Sequence, residues 1–454
     1  MLGRRAAARG ARLGFAGPGD AAHRGQPGQG APPEGTLVRL PEPGHGMVLA
    51  GTGQGKLVNV IAPNVLMHEG PLFVIDPKGE IASVTARHRR SVGEVIIIDP
   101  FECVPHLTQG APPGALNPFD LARLPGVNID DAAEALAWEL TVGHESARDP
   151  YWVHAAASLI AGLIAGVSED PDPAQRGMGR VVDLLAAEDV IYDLAVLLEV
   201  QRVKGDFARS RIAQFLATPG DSHAATRGCV LNSAQQVIHC FEAESVRRAV
   251  NTSSFALEDV VEGERPMTVY FVFPPARALS HRGLLRMWVT TLLQALMHRA
   301  EMPSLQTLLV VDEAANLGTL DQLPLMHSYA RGTGTSVLTA WQSIGQLMDL
   351  YPNQFRTICE NCTSIQAFGL HSTAIEAAAT FLGVPGGVLR DQAPDEQLVV
   401  IGSREGEVLR RVDYRTDPVL AARADWNPRY ARRGGWAPPA LAKQPCAHSG
   451  RAAQ

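Results

Sequence analysis

The sequence has no long apolar segment of the kind that crosses a membrane. No run of 18 or more apolar residues occurs in its 454 residues, so we expect no transmembrane helix. The most apolar stretch, 152–167, is shorter and contains His154 and Ser158, which indicates a buried helix. The first 17 residues are rich in arginine but have no continuous apolar core, so we expect no signal peptide.

Cysteine and positive charge are also scarce. Six scattered cysteines suit a reducing cytoplasm better than a disulfide scaffold. Cys359 and Cys362 have metal-site spacing, but no second Cys or His pair lies at zinc-site distance, so we interpret them as core residues. A net charge of −7 excludes a surface that is basic throughout. Any DNA contact would therefore be a local basic groove or a pore.

Composition and local pattern divide the chain into five segments. Residues 1–36 and 426–454 are rich in glycine, proline, alanine and arginine, which predicts disordered tails. Segments 37–125 and 251–425 alternate short apolar strands with helices, and polar turns close the strands. This pattern predicts an α/β fold whose mostly parallel sheet has helices on both faces. In 126–250 apolar residues recur at helical spacing without strand-like alternation, which predicts an inserted all-helical domain.

A glycine-rich loop follows the first apolar strand of segment 37–125. Residues 50–57 (AGTGQGKL) nearly match G-x-x-x-x-G-K-[ST], in which backbone N–H groups and a lysine hold phosphate and a hydroxyl holds Mg²⁺. Ala50 replaces the first glycine, and Leu57 replaces the hydroxyl and cannot bind a metal. The loop is predicted to hold phosphate, but whether it supports hydrolysis is left open. The residues assigned to this loop are Gly51, Thr52, Gly53, Gln54, Gly55, Lys56 and Leu57. We also expect Pro63 to end or kink the following helix near Ala62.

A second nucleotide-site motif lies in segment 251–425. The apolar run 308–311 ends in two carboxylates, the Walker B arrangement. Asp312 would hold Mg²⁺ through water, and Glu313 would polarise the attacking water. A buried strand can end in acidic residues without any such role, but the glycine loop roughly 250 residues upstream favours a nucleotide site.

Two further residues have two interpretations each, and one further segment has a single interpretation. Gln342, after the strand 335–340, is either a γ-phosphate sensor or a helix cap. Arg331 is either an arginine finger for a neighbouring subunit or a solvated surface side chain. The segment 76–80 (DPKGE) has no chemistry derivable from its residues, and we interpret it as a conformational turn beside the glycine loop.

Eight short motifs occur along the chain in a fixed order. They are Ala50–Leu66, Asp76–Glu80, Asn117–Pro118, Asp149–Trp152, Phe273–Pro275, Asp312–Gly318, Arg331–Gly332 and Trp341–Gln342.

Together these motifs, over residues 45–415, resemble the coupling proteins of type IV secretion, the TraG-like conjugative DNA transfer family. The resemblance implies a RecA-like P-loop NTPase domain with an inserted all-α domain, and ATP and Mg²⁺ as cofactors. Lys56, Glu313, Gln342 and Arg331 would be catalytic, and Asp312 would bind the metal. It also implies a homohexameric ring at the cytoplasmic face of the bacterial inner membrane. Such a ring would pass single-stranded DNA with its relaxase, or protein substrates, to the secretion channel.

Two departures from the family pattern leave alternatives open. Family members usually begin with transmembrane helices. Here either such helices precede Met1 or the protein docks on a separate membrane partner. Leu57 leaves open an ATP-driven motor or a docking scaffold impaired in hydrolysis. A chromosomal DNA pump of the FtsK or HerA kind is the third possibility, but such pumps usually keep the hydroxyl after the lysine and have no inserted helical domain.

Overall fold

The computed structural model describes residues 2–4, 37–40, 43–142, 144, 151–200, 203, 205–217 and 221–433. Its centre is a sheet of eleven strands. The strands are β1 Gly3–Arg4, β2 Leu37–Val38, β3 His45–Ala50, β4 Leu72–Asp76, β5 Glu94–Ile98, β6 Met267–Val272, β7 Thr307–Val311, β8 Thr335–Trp341, β9 Cys362–Phe368, β10 Glu396–Ile401 and β11 Glu407–Arg410.

The sheet has a parallel part and an antiparallel part. The strand order is β2-β1-β11-β10-β9-β3-β8-β7-β4-β6-β5, and every pairing from β9 to β5 is parallel. The pairings from β2 to β9 are antiparallel and include the β10–β11 hairpin.

Alternate residues of the central strands point into two cores. Met47 and Phe73 lie in the larger core on one face of the sheet, whereas Val48 and Val74 lie in the smaller core on the other. Side chains alternate across a strand, so a strand that is apolar at every position needs cover on both faces. The predicted α/β class, a mostly parallel sheet with helices on both faces, is confirmed.

Between β5 and β6 the described residues form helices and no strand. This agrees with the predicted helical insertion, while its limits at 126 and 250 stay predictions. The α-helices of the described chain are α1 Ala62–Met67, α2 Glu80–Val92, α3 Pro105–Thr108, α4 Ile129–Thr141, α5 Tyr151–Ser168, α6 Met178–Leu185, α7 Val190–Glu199, α8 Asp206–Leu216, α9 Asp221–Ile238, α10 Glu244–Asn251, α11 Leu257–Glu262, α12 Arg282–Met297, α13 Gln322–Tyr329, α14 Ile344–Leu350, α15 Phe355–Glu360, α16 Ser372–Leu382, α17 Gly386–Arg390 and α18 Pro418–Arg423.

Helix α5 contains the most apolar stretch of the sequence. At 18 residues and a mean hydropathy of 1.5 it is the one helix in the described ranges that could cross a membrane by length and composition. In this fold 72% of the helix is buried, and it packs against α4, α8 and α9. The predicted buried helix is thus present and slightly longer than predicted.

Proline changes the helix that follows the glycine loop. Residues Leu57–Ile61 form a π-helical turn, and α1 begins at Ala62. The Ala62 N–H donates to the Leu57 carbonyl, five residues back, and Pro63 has no N–H to continue either pattern. The helix does not end at Ala62, as predicted for one of the two outcomes, but changes there from π- to α-helical hydrogen bonding.

The predicted disorder of the tails is wrong for a few residues at their inner and outer ends. Gly3–Arg4 pairs with β2 and β11, because Leu2 is buried beside Val399 and Leu409 and holds this end against the sheet. Pro428–Arg433 forms a 3₁₀ helix. Residues 5–36 and 434–454 lie outside the described ranges, as do Asp149 and Pro150 of the fourth motif.

Candidate nucleotide-binding site

Four neighbouring strands of the parallel sheet end at one edge, each followed by a sequence motif. In spatial order β3 leads to the glycine loop, β8 to Gln342, β7 to Asp312 and Glu313, and β4 to the turn after Asp76. The carboxyl ends of parallel strands meet at the same edge, which is where α/β proteins bind ligands. Residues far apart in sequence are thereby brought into one pocket of about 690 Å³.

The backbone of the glycine loop has a phosphate-cradle conformation. Gly53 and Gly55 have positive φ angles of 74° and 91°, which a side chain would strain. A Cβ on Gly51 would lie 2.7 Å from the carbonyl oxygen of Gly369. Ala50 ends a strand with ordinary backbone angles, so a glycine is not needed there. Gly51, Gly53, Gln54, Gly55, Lys56 and Leu57 line the pocket, whereas Thr52 does not.

Lys56 and Glu313 meet at the floor of this pocket. The buried Lys56 ammonium donates to the carbonyl oxygen of Ala50 at 2.9 Å and lies 3.7 Å from Oε1 of Glu313. The other oxygen of Glu313 accepts a 2.9 Å hydrogen bond from the Gln342 amide. Glu313 therefore has a cation on one oxygen and an amide donor on the other, which fixes the orientation of its carboxylate.

The backbone of Glu313 is strained. Its φ and ψ of 53° and 55° lie in the left-handed region, which non-glycine residues rarely occupy. In the described chain one other non-glycine residue, Glu102, has a positive φ. Strain of this kind is concentrated at functional sites, where the surrounding structure stabilises it. Here it aims the glutamate side chain into the pocket instead of along the strand.

Asp312 has the electrostatic environment of a cation ligand. Burial, together with the carboxylates of Asp76 and Glu313, raises the pKa of Asp312 to about 7, although Lys56 and Lys78 oppose this shift. Because the carboxylates of Asp76 and Glu313 surround Asp312 with negative charge, this site is suited to bind a divalent cation. In the part of the chain that the structure describes, no group of three His, Cys, Asp or Glu side chains could hold a metal ion.

Leu57 packs instead of binding. Its side chain is half-buried and contacts both the smaller core and a cluster that contains Val412, Tyr414 and Leu420. It supplies no oxygen to the metal position. The leucine thus joins the start of the helix to the C-terminal part of the chain.

The DPKGE segment is a capped turn, as interpreted from the sequence, and it also brings a lysine into the site. The Asp76 carboxylate accepts hydrogen bonds from the backbone N–H groups of Lys78, Glu80 and Ala82, which caps the start of α2. Burial raises the pKa of Asp76 to about 6. Lys78 lines the pocket, with its ammonium 4.0 Å from Oε1 of Glu313. Sequence reasoning missed Lys78, and the available signal was a lysine two residues after a buried parallel strand.

A second wall of the pocket comes from the C-terminal part of the chain and was also missed. Arg411 donates to the carbonyl oxygen of Gln54 at 2.8 Å, and its guanidinium lies 4.8 Å from the centre of the Phe368 ring. No sequence motif marked this wall, because its residues meet the loop only through the order of the strands. The residues of this wall are Pro394, Asp395, Arg411, Asp413, Tyr414, Arg415, Asn427 and Tyr430.

Arg331 lies away from this pocket. It is exposed and precedes β8, whereas Gln342 follows the same strand. A strand of seven residues spans roughly 20 Å, so Arg331 is at the opposite edge of the sheet from its own glycine loop. A role in the site of the same chain is excluded, and the predicted role toward a neighbouring subunit stays a prediction.

Cys359 and Cys362 are core residues, as predicted. Both are buried, and Cys362 Sγ donates to the carbonyl oxygen of Ile358. Burial raises the pKa of Cys359 to about 12, so its thiol is not reactive at neutral pH.

Comparisons with known proteins show the family to which the chain is related. The profile of the family described as type IV secretory system conjugative DNA transfer matches residues 22–381. The conjugal transfer protein TraG of Agrobacterium fabrum is 27% identical over 314 residues, which are 68% of this chain and 45% of TraG. The type IV secretion system-coupling protein VirD4 of Bartonella quintana is 22% identical over 336 residues, 71% of this chain and 50% of VirD4. The chain thus spans about half the length of the curated relatives it matches.

Solved structures show the same fold. The bacterial conjugative coupling protein TrwBΔN70 aligns with a TM-score of 0.62 at 16% identity, covering 81% of this chain and 85% of that one. TrwB in complex with ADP and Mg²⁺ aligns over the same shares with a TM-score of 0.59 at 17% identity. The predicted RecA-like P-loop NTPase fold is confirmed. The family profile covers more than half of the sequence, and the chain belongs to the type IV secretory system conjugative DNA transfer family.

Proposed function

We propose that this protein is an ATP-driven coupling protein that moves DNA–protein substrates into a type IV secretion channel during conjugation. The observation that carries the proposal is the convergence of Lys56, Asp312, Glu313 and Gln342 at one edge of the sheet. TraG and VirD4 proteins among its relatives support the transfer role, and the TrwB structures with an ATP analogue and with ADP and Mg²⁺ support the nucleotide.

Each residue has a definite part in hydrolysis. Lys56 leaves the Ala50 carbonyl to bind the β- and γ-phosphates. Glu313, oriented by Gln342, accepts a proton from the attacking water, whose oxygen bonds to the γ-phosphorus. The bond from that phosphorus to the bridging oxygen breaks, which yields ADP and inorganic phosphate. Mg²⁺, held by Asp312 directly or through water, would neutralise phosphate charge when bound.

Assembly and substrates extend the proposal. A homohexamer would place Arg331 at a neighbouring subunit's nucleotide, in keeping with its exposed position at the far edge of the sheet. The substrates would be single-stranded DNA with a relaxase, or proteins. The ring would sit at the cytoplasmic face of the inner membrane.

Leu57 favours a second candidate function. Because it supplies no hydroxyl, the protein could bind ATP without turnover and act as a docking scaffold of the same system. Family membership argues against the chromosomal DNA pump, since the matching family is that of conjugative transfer.

The test compares ATP binding and hydrolysis in wild type and Lys56→Ala, with and without single-stranded DNA. Turnover that DNA stimulates and Lys56→Ala removes supports the motor. Binding that depends on Lys56 without turnover supports the scaffold. Equal ATP binding by the two proteins would refute both.

A further inference from the structure

Lysine is rare in this protein, and both lysines in the described ranges lie in one pocket. The sequence has four lysines among its 40 basic residues, and the other two, Lys204 and Lys443, lie outside those ranges. Lys56 and Lys78 approach the same atom, Oε1 of Glu313, at 3.7 and 4.0 Å. A lysine ammonium is a compact charge on a flexible stem, whereas arginine presents a broad planar fork.

The two lysines reach this oxygen from opposite sides. Lys56 follows β3 and Lys78 follows β4, and β8 and β7 lie between those strands. Neighbouring strands are roughly 4.8 Å apart, so the two backbones stand about 14 Å from each other across the site. The carboxylate that polarises the attacking water lies on the γ-phosphate side of a P-loop site. Lys78 approaches Glu313 from the β4 side of β7. Its ammonium is therefore placed near the terminal phosphate and not near the α- or β-phosphate.

The turn that carries Lys78 is rigid. Asp76 accepts three backbone hydrogen bonds from residues 78, 80 and 82, and Gly79 has a φ of 67°. A Cβ on Gly79 would lie 2.3 Å from Val104, so the turn packs too closely for another residue. The Lys78 side chain is 34% exposed and lines the pocket. A fixed backbone and an accessible ammonium suit a ligand contact.

We infer that Lys78 is a second phosphate-binding cation that contacts the γ-phosphate of ATP from the side opposite Lys56. The inference rests on the proposed nucleotide-binding function and adds a residue to it. Lys78 supplies fixed positive charge near the terminal phosphate, in a site where Leu57 provides no metal ligand. It would thus distinguish ATP from ADP.

The experiment measures dissociation constants for a non-hydrolysable ATP analogue and for ADP. Lys78→Gln is compared with Arg90→Gln, which removes an equal charge from an exposed position on α2, the helix that follows the turn. We expect Lys78→Gln to weaken the binding of the ATP analogue about tenfold or more. The binding of ADP should weaken less than about threefold, because ADP has no γ-phosphate. Arg90→Gln should leave both dissociation constants unchanged. Lys78→Arg should keep part of the preference for the ATP analogue over ADP that Lys78→Gln loses.

Two results would overturn the inference. If Lys78→Gln weakens the binding of both nucleotides equally, Lys78 only supports the turn. If Lys78→Gln leaves the binding of both nucleotides unchanged, Lys78 does not contact phosphate. Lys56→Ala, measured alongside, separates this inference from the proposed function. If Lys56→Ala abolishes binding while Lys78→Gln leaves the preference for ATP unchanged, only the inference fails. If ATP binds wild type and Lys56→Ala equally, or binds neither, both proposals fail.

Discussion

The side-chain amide of Gln342 donates a 2.9 Å hydrogen bond to Glu313, joining the ends of two adjacent strands, β8 and β7. This contact ties the residue proposed to polarise water to the strand beside it.

Removing this amide should slow hydrolysis without weakening nucleotide binding. We expect Gln342→Ala to lower kcat by about 10- to 100-fold and to leave KM for ATP nearly unchanged, because Gln342 orients Glu313 and is not part of the phosphate cradle. Steady-state ATPase kinetics measure both constants. Gln354→Ala, at an exposed position, is the matched control and should behave as wild type. A large rise in KM with kcat intact would contradict this role.

The left-handed backbone of Glu313 predicts an unusual order of stability. Glu313→Gly and Glu313→Ala both remove the carboxylate and should both abolish turnover. Alanine keeps the strain of a φ of 53°, which costs non-glycine residues roughly 1 kcal/mol or more, whereas glycine does not. We expect the glycine variant to be the more stable by about 1 kcal/mol, the reverse of the usual order. Urea unfolding at equilibrium measures this difference, and a more stable alanine variant would show that the strain is absent.

Leu57 can be separated into a packing effect and a chemical effect with two variants of equal size. Leu57→Val and Leu57→Thr both shrink the side chain that packs near Val412 and Tyr414, and each should lower the free energy of unfolding by about 1–2 kcal/mol. Threonine alone adds a metal-binding hydroxyl. Mg²⁺-dependent ATPase activity should therefore rise in Leu57→Thr and not in Leu57→Val. Equal activity in the two variants would show that the missing hydroxyl does not limit turnover.

The sequence was sufficient to predict the parallel sheet and half of the site, for identifiable reasons. Strands β3, β4 and β7 contain consecutive apolar residues and lead into glycine-rich or acidic segments, so their burial and direction leave a local signal. Lys56, Asp312 and Glu313 belong to motifs with fixed internal spacing. Their meeting could be predicted because parallel strands end at one edge.

The other half of the site depends on strand order, which leaves no local signal. Lys78 reaches Glu313 because β4 is the neighbour of β7, and Arg411 reaches Gln54 because the chain after β11 returns to the glycine loop. The strained backbone of Glu313 is likewise imposed by the packing around it. Gly3–Arg4 joined the sheet against the prediction because one buried leucine outweighed the composition of the segment around it.

A buried ion pair connects the helical segment to helix α12, which lies between strands β6 and β7 in the chain. Glu139 of α4 and Arg286 of α12 lie 2.5 Å apart, and their side chains are 1% and 2% exposed. Arg286 also donates to the Val142 carbonyl, and Glu139 accepts from the Asp321 N–H. Removing one partner leaves a buried charge without compensation, so Arg286→Met should lower the free energy of unfolding by roughly 3–5 kcal/mol.

The double variant tests the cause of that loss. Glu139→Leu combined with Arg286→Met removes both charges and should be less destabilising than Arg286→Met alone. Thermal unfolding of the wild type, both single variants and the double variant completes the cycle. Additive losses would show that the two side chains stabilise the fold independently.

Two buried histidines predict a loss of stability in acid. The rings of His45 and His327 lie 5.2 Å apart, and neither Nε2 atom has a hydrogen-bond partner within the described chain. Burial, with the nearby charges of His327 and Arg331, lowers the pKa of His45 to about 3, and burial lowers that of His327 to about 4. In the unfolded chain both pKa values return to about 6.5. The unfolded state therefore binds more protons between these values, so stability is complete above pH 6.5 and falls as the pH decreases toward 4.

His45→Asn should reduce this pH dependence. The Val337 N–H donates to Nδ1 of His45, and an asparagine oxygen can accept the same hydrogen bond without titrating. We expect the variant to lose less stability than wild type between pH 7 and 4.5, by up to roughly 2 kcal/mol. The raised pKa values of Asp76 and Asp312 act with the opposite sign in this range, so the quantity to measure is the difference between the two proteins in urea unfolding at each pH. Parallel pH profiles for wild type and variant would mean that His45 is not kept neutral by the fold.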